Sequence, residues 1–523
     1  MPSAVDPAPS AVDPADWLDA AAHRHPARPF LTTPSGREIN YVSLLEQSAR
    51  FAAALSRRGV IEGDRVAVQV DKSPEAVLLY VACLRLGAVF VPINVANTPN
   101  EVDYFWADSR PRVAVVRPAD RALLEPRAAA ASVMHVETLG AEGDGSLCGL
   151  ARQADEAPAP LRAGKGDSPA AIVYTSGTTG RAKGAVLSRA NLASNAAVLA
   201  ESWRFTKDDV LSHVLPLFHI HGLFVAINTV LASAASLLLF PRFDAAATLQ
   251  SMSRTTVFMG VPTHFTRLLQ ETALTRESTA GMRLFVSGSA PLTAETHREF
   301  ERRTGHAILE RYGMTETLIN TSNPYEGMRR PGSVGPPLPG VCIRVAAGAG
   351  QSTVGVQDVG GLEVAGPSVF AGYWRDAEKT RAEFTADGWF KTGDLGRIDR
   401  DGYVHIVGRA KDLVISGGYN VYPKEVETEL DALSGVLESA VFGVPHPDFG
   451  EGVTAVIVPS PGAQLSEADI VDSLQARLAR YKVPKRVFLI DELPRNAMGK
   501  VQKNALRAAY ASLYAEPLAA GSP

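Results

Sequence analysis

From Tyr41 to Arg57 apolar side chains recur at three- and four-residue intervals, the spacing that gathers them on one face of a helix. The next apolar run, Arg65 to Val70, is short and β-branched and reads as a strand. A second pair follows, a helix over Pro74 to Leu86 and a strand over Ala88 to Pro92. Ala170 to Tyr174, Val210 to Val214, Ala235 to Leu239, Thr256 to Val261 and Arg283 to Ser287 read as further strands, each closing on a polar or glycine-containing turn. Such alternation predicts an α/β fold with mostly parallel sheets, whose ligands bind beyond the carboxyl ends of the strands.

Around Gly393 to Gly418 the texture changes to short strands and turns. A helix over Lys424 to Leu433, strands at Ser439 to Val444 and Val453 to Val458, a helix over Glu467 to Arg480 and a strand at Arg486 to Leu489 then suit a small α+β domain. The expected organisation is a disordered leader at 1–16, a large multi-lobed N-terminal domain at 17–409 and a small domain at 410–523. The leader repeats SAVDPA at Ser3 to Ala8 and Ser10 to Ala15, a Pro/Asp-containing pattern that lacks a core.

Composition narrows the class without selecting a reaction. Of 523 residues, 46% are hydrophobic and 21% charged, with a formal net charge of −4, as in average soluble enzymes. Neither nucleic acid nor an anionic membrane is implied as a partner. Three scattered cysteines, Cys83, Cys148 and Cys342, form no disulfide framework and no zinc motif. With no signal-peptide pattern and no apolar stretch of membrane-spanning length, a reducing cytoplasm is expected.

Chemistry enters at Thr175-Ser176-Gly177-Thr178-Thr179-Gly180-Arg181-Ala182-Lys183-Gly184, directly after a strand. Glycines let the backbone approach an anion, hydroxyls donate to it, and Lys183 supplies charge. This is not the common P-loop, because Ala182 and Gly184 occupy positions where that motif needs glycine and Ser or Thr. A flexible polar loop is the blander reading of any few of these residues, but the strand-end position and the lysine favour a triphosphate cradle.

Four more clusters follow in order: Tyr312-Gly313-Met314-Thr315-Glu316; Lys391-Thr392-Gly393-Asp394-Leu395; Gly408-Arg409-Ala410-Lys411-Asp412 with Ser416-Gly417-Gly418-Tyr419-Asn420; and Pro494-Arg495-Asn496-Ala497-Met498-Gly499-Lys500. Together with the loop they closely resemble the adenylate-forming superfamily of acyl-CoA synthetases, peptide-synthetase adenylation domains and beetle luciferases, from about Tyr41 to Leu506. Glu316 offers the hard oxygen that Mg²⁺ prefers, and Asp394 can accept hydrogen bonds from vicinal ribose hydroxyls. The resemblance implies that Glu316 holds Mg²⁺, that Thr315 touches the α-phosphate, and that Tyr312 stacks on adenine against Gly288-Ser289-Ala290-Pro291. It also places Glu310, Arg311, Gly313 and Met314 around ATP and joins Arg409 to Asp394 at the ribose. Lys500 becomes the mobile lysine of the first half-reaction and a target of reversible acetylation. Lys411 becomes the hinge, and Gly417, Gly418 and Tyr419 line the tunnel for coenzyme A after the small domain rotates.

The acid is read from weaker signals. Pro216-Leu217-Phe218-His219-Ile220-His221-Gly222 follows a strand, and two histidines two apart on an extended chain would face one side. No third ligand suggests a metal site. By resemblance these residues and Arg283 line the acyl pocket, with His219 gating access and His221 and Arg283 facing the acyl end. A fatty-acid tunnel, which gains roughly 0.8 kcal/mol per buried CH₂, would not tolerate an unpaired arginine. A second substrate carboxylate would pair with it. Similarity to malonyl-CoA synthetases extends over His219 to Gly222, Arg283 to Leu292 and Glu310 to Thr317, so malonate is the expected acid and methylmalonate a weaker one. Alternatives are a ligase for another short, aryl or medium-chain acid, an adenylation enzyme loading a carrier protein, a phosphohydrolase releasing ADP, and a non-catalytic binding scaffold. A monomer or homodimer is expected.

Overall fold

The computed structural model describes residues 13–154, 166–175, 182–346, 358–496 and 499–514. Two large sheets carry the N-terminal region. In the first, six parallel strands lie in the order Leu309–Met314, Leu284–Ser287, Val257–Gly260, Val210–His213, Ser236–Leu239 and Pro29–Thr32. Antiparallel strands Leu318–Ser322 and Glu38–Asn40 close its edges. In the second, Pro169–Thr175, Val89–Pro92, Arg65–Gln69, Val113–Val116 and His135–Thr138 run parallel, with Lys183–Ser188 and Gly372–Tyr373 antiparallel at one side. The buried helix Pro74–Leu86 packs on the helix Tyr41–Arg57 and is set by local signals: Ser73 accepts from the Ala76 amide, Pro74 opens the first turn, and Gly87 ends it at φ +69°.

One expectation needs correction. The chain is already helical at Pro14–Arg24, so residues 14–16 are not leader; Asp13 accepts from the Ala15 amide and pairs with buried Arg189, which anchors the helix to the core. The polar texture before the small domain conceals a third, antiparallel sheet of Cys342–Ala346, Gly360–Ala365, Phe390–Ile398 and Val404–Arg409. Its strand Phe390–Ile398 alternates buried and exposed residues at its start, a pattern that Gly393 and Gly396 obscure in the sequence.

A single turn, Ala410–Asp412, leads from that sheet to the small domain. There Tyr419–Val421, Val414–Ser416, Gly450–Pro459, Val436–His446 and Arg486–Leu489 form one sheet. Its helices Pro423–Asp431 and Glu467–Gln475 pack on an aliphatic core. The loop carrying Lys500 lies before the helix Lys503–Ala509.

Candidate active site

Carboxyl ends of strands from both large sheets meet in a cleft of about 600 Å³, closed on one side by the small domain. Tyr174 and Thr175, then Arg311 and Gly313 to Glu316, line it from the sheets; His219 and Ser289 come from loops, and Lys411, Asp412, Asn496 and Lys500 from the small domain. Lys500 lines the cleft from an exposed position; desolvation by the surrounding protein, then Arg409, lowers its pKa while Asp394 and Glu316 oppose that fall. The loop behind it is stiffened by Asn496, whose side-chain oxygen accepts from the Lys500 amide at 3.0 Å.

Residues 176–181, which hold Ser176, Gly177, Thr178, Thr179 and Gly180 of the phosphate-loop expectation, lie outside the described residues. The flanks are clear: Thr175 and Lys183 pair across an antiparallel register that closes the loop. Lys183 Nζ stands 3.7 Å from Glu383 and 5.2 Å above the Tyr373 ring. Burial, then nearby Lys379, lowers its pKa.

Glu316 is buried and accepts a hydrogen bond from the Tyr373 hydroxyl at 3.0 Å, a support that no sequence motif announced. Burial raises its carboxyl pKa, because the protein interior disfavours the charged form. Among the described residues no cluster of three or more His, Cys, Asp or Glu is arranged around a metal. One buried carboxylate beside Thr315 in a phosphate-sized cleft nevertheless fits Mg²⁺, which takes one or two carboxylates plus phosphate oxygens. Asp394 is held between Tyr312, whose hydroxyl donates to it, and Arg409 Nε at 2.7 Å. Glu310 accepts from the Leu292 amide at 3.2 Å, and burial pushes its carboxyl up to about 8.

The acyl side departs most from expectation. His219 and His221 are not on an extended strand: His219 sits in a turn and His221 opens a π-helical turn, His221–Ile227, of the kind often found at functional sites. They still converge, because His219 Nδ1 accepts from the His221 amide at 3.2 Å and His221 Nδ1 lies 3.2 Å from Ser289 Oγ. Ser289 has φ +72°, a strained value for a side chain with a Cβ. Burial, with Lys500 and Arg311 nearby, pushes His219 down to about 3, so its imidazole is neutral.

Arg283 does not reach this site. It precedes the strand Leu284–Ser287, at the end away from the cleft, and forks onto Asp209 at 2.6 and 2.7 Å while donating to the Trp203 carbonyl. The conflict of an unpaired arginine, argued for Arg283, is thus removed by a protein carboxylate. It reappears at Arg311, which was grouped with the nucleotide. That side chain lines the cleft, is 3% exposed, and has Nε and Nη2 without partners among the described residues. A Cβ on Gly288 would fall 2.4 Å from its guanidinium carbon, so glycine there makes room for it. Burial pushes Arg311 down to about 9, leaving it charged at neutral pH. The hairpin turn of Gly417, Gly418 and Tyr419 is outside the cleft, with Tyr419 exposed and stacked on Tyr481 at 4.7 Å.

The enclosed nucleotide-sized cleft under a small lysine-bearing domain defines an adenylate-forming enzyme. Residues 18–374 match the family described as AMP-binding enzyme and 425–500 its C-terminal domain, and the chain belongs to that family. It is similar to ATP-bound MatB from Rhodopseudomonas palustris, with 53% identity and a TM-score of 0.93 over 96% of this chain and 100% of that one. Indoleacetate–CoA ligase of Aromatoleum aromaticum is 34% identical over 94% of this chain and 97% of its own length. Malonate–CoA ligase ACSF3 of Mus musculus is 36% identical over 89% and 86%. The protein is an acyl-CoA ligase with ATP and coenzyme A as co-substrates. Among the described residues no helix is long and apolar enough to cross a membrane.

Proposed function

We propose that the chain joins malonate, and methylmalonate less well, to coenzyme A through an acyl-adenylate, in a reducing cytoplasm. Relatives act on aromatic acids as well as on malonate, so similarity alone leaves the acid open. The observation that supports malonate is Arg311: a charged guanidinium buried in the cleft with two nitrogens unpaired, beside His221 Nε2, which is also unpaired among the described residues. Leaving a buried charge unpaired costs several kcal/mol, and each apolar CH₂ placed against it would return only about 0.8 kcal/mol. A substrate carrying a second carboxylate satisfies the guanidinium through a two-toothed pair.

In the first half-reaction the other carboxylate attacks the α-phosphorus of ATP, and pyrophosphate leaves. Lys183 and the loop after Thr175 hold the departing phosphates, Thr315 contacts the α-phosphate, and Lys500 offsets the charge developing on the transferring oxygens. Asp394 and Arg409 take the ribose, while Tyr312 and Gly288 to Pro291 flank adenine. Glu316, backed by Tyr373, would hold Mg²⁺, which would neutralise phosphate charge. The small domain then turns about Lys411, bringing Gly417 to Tyr419 toward the cleft for thiol attack. Lys500 withdraws in that step, and its exposed amine would be open to an acetyltransferase and deacetylase.

Acid-dependent pyrophosphate release, compared for malonate, methylmalonate, succinate, acetate, octanoate and benzoate, tests the assignment. Malonate is expected to be fastest. Faster release with succinate or any monoacid would overturn malonate and leave the ligase class intact.

A further inference from the structure

A second cavity of about 400 Å³ adjoins the nucleotide cleft. Both are lined by Pro92, Ile93, Asn94 and Phe218, so they meet beside His219 at the acyl end of the site. The walls of the second cavity are mainly apolar, including Val68, Val214, Leu217 and Phe243. Lys72 also lines it, held by a 2.8 Å hydrogen bond from Nζ to the His213 carbonyl. Among the described residues Lys72 forms no ion pair. Asp71, on the same wall, is 3.9 Å from Arg117. The other titratable or charged groups around Lys72 are Arg242, His264, stacked on Phe243 at 4.0 Å, and His213, which is pushed down to about 3 by burial and by Lys72.

A partly buried lysine among mainly apolar walls, with one carbonyl partner, is an expensive way to fill space, and a methionine would fill it with a smaller desolvation cost. Such surroundings favour the free amine, and burial lowers the Lys72 pKa well below its ordinary value. Because the cavity opens into the cleft beside His219, a thiol delivered there once the small domain has turned would meet the Lys72 side of the acyl end.

We propose that Lys72 accepts the proton of the coenzyme A thiol during thioester formation. The S–H bond breaks and its proton passes to the Nζ lone pair. The sulfur electrons form the S–C bond to the acyl carbon, and the bond from that carbon to the phosphate oxygen breaks, with AMP leaving on its electron pair. The lysine ammonium then returns its proton to water. A thiol of ordinary pKa, near 8.5, is only a few per cent thiolate at neutral pH, which is why a base matters. The inference rests on CoA ligation and is independent of which acid is used.

The test compares wild type, Lys72→Met and Lys72→Arg, using whichever acid the wild type activates. Thioester formation from preformed acyl-adenylate is followed across pH 6 to 9.5, and pyrophosphate exchange and thermal melting report on folding. Both variants are expected to lose about 100-fold or more in the thiol step at pH 7, the usual contribution of a general base. Their remaining rate should climb about tenfold per pH unit toward the thiol pKa, because solution thiolate then carries the reaction. Arginine can keep the hydrogen bond to the His213 carbonyl but stays protonated and cannot accept a proton, so it should fail as methionine does. Rescue by Lys72→Arg, an unchanged pH profile, or a parallel fall in pyrophosphate exchange would overturn the proposal.

Discussion

Replacing Arg311 with methionine separates a substrate anchor from a structural arginine. The guanidinium is 3% exposed and has two unpaired nitrogens among the described residues, so a carboxylate that meets it is shielded from water. Removing one partner of a buried pair costs about 3–5 kcal/mol. At about 1.4 kcal/mol per tenfold, kcat/KM for malonate in pyrophosphate release should fall by between about 10²-fold and about 4 × 10³-fold. Butyrate, similar in size and without the second charge, has no pair to lose and should hold or improve. Stability should move the other way, since burial has pushed Arg311 down to about 9 and the charge weakens the empty protein. The ligand-free variant should melt at the same temperature or higher. An equal loss with both acids, or a large fall in melting temperature, would refute the reasoning.

Arg283→Met should cost about 2–4 kcal/mol of stability, read by denaturant titration, because it strands the buried Asp209 carboxylate, and it should leave the malonate-to-butyrate ratio unchanged. Lys500→Ala should abolish pyrophosphate exchange and still convert supplied malonyl-AMP to thioester, since the second pose does not use that lysine; quenched-flow product analysis distinguishes the steps. Glu310 has its pKa raised by burial from 4.5 to about 8, so the native state binds more protons than the unfolded state between those values. Stability from this group is therefore present at low pH and lost as pH rises toward 8. Melting curves from pH 5 to 9 should show that slope, flattened in Glu310→Gln.

The sequence by itself determined the alternating architecture and the reaction class. Those depend on local order: the apolar spacing in Tyr41–Arg57, the Ser73 helix start and Gly87 helix stop, and five motifs whose glycines, hydroxyls and charges lie close together in the chain. What acts through space was hidden. The third sheet pairs strands whose polar and glycine-rich pattern carries weak periodicity. Arg283 stands just before one strand and Arg311 within the next, and only the fold decides that one meets Asp209 while the other lines the cleft with two nitrogens unpaired among the described residues. Tyr373 beneath Glu316 and Lys72 in its apolar cavity belong to no motif at all. A charge acquires its role from the partner and the dielectric that tertiary packing gives it, and neither is written in the residue or its neighbours.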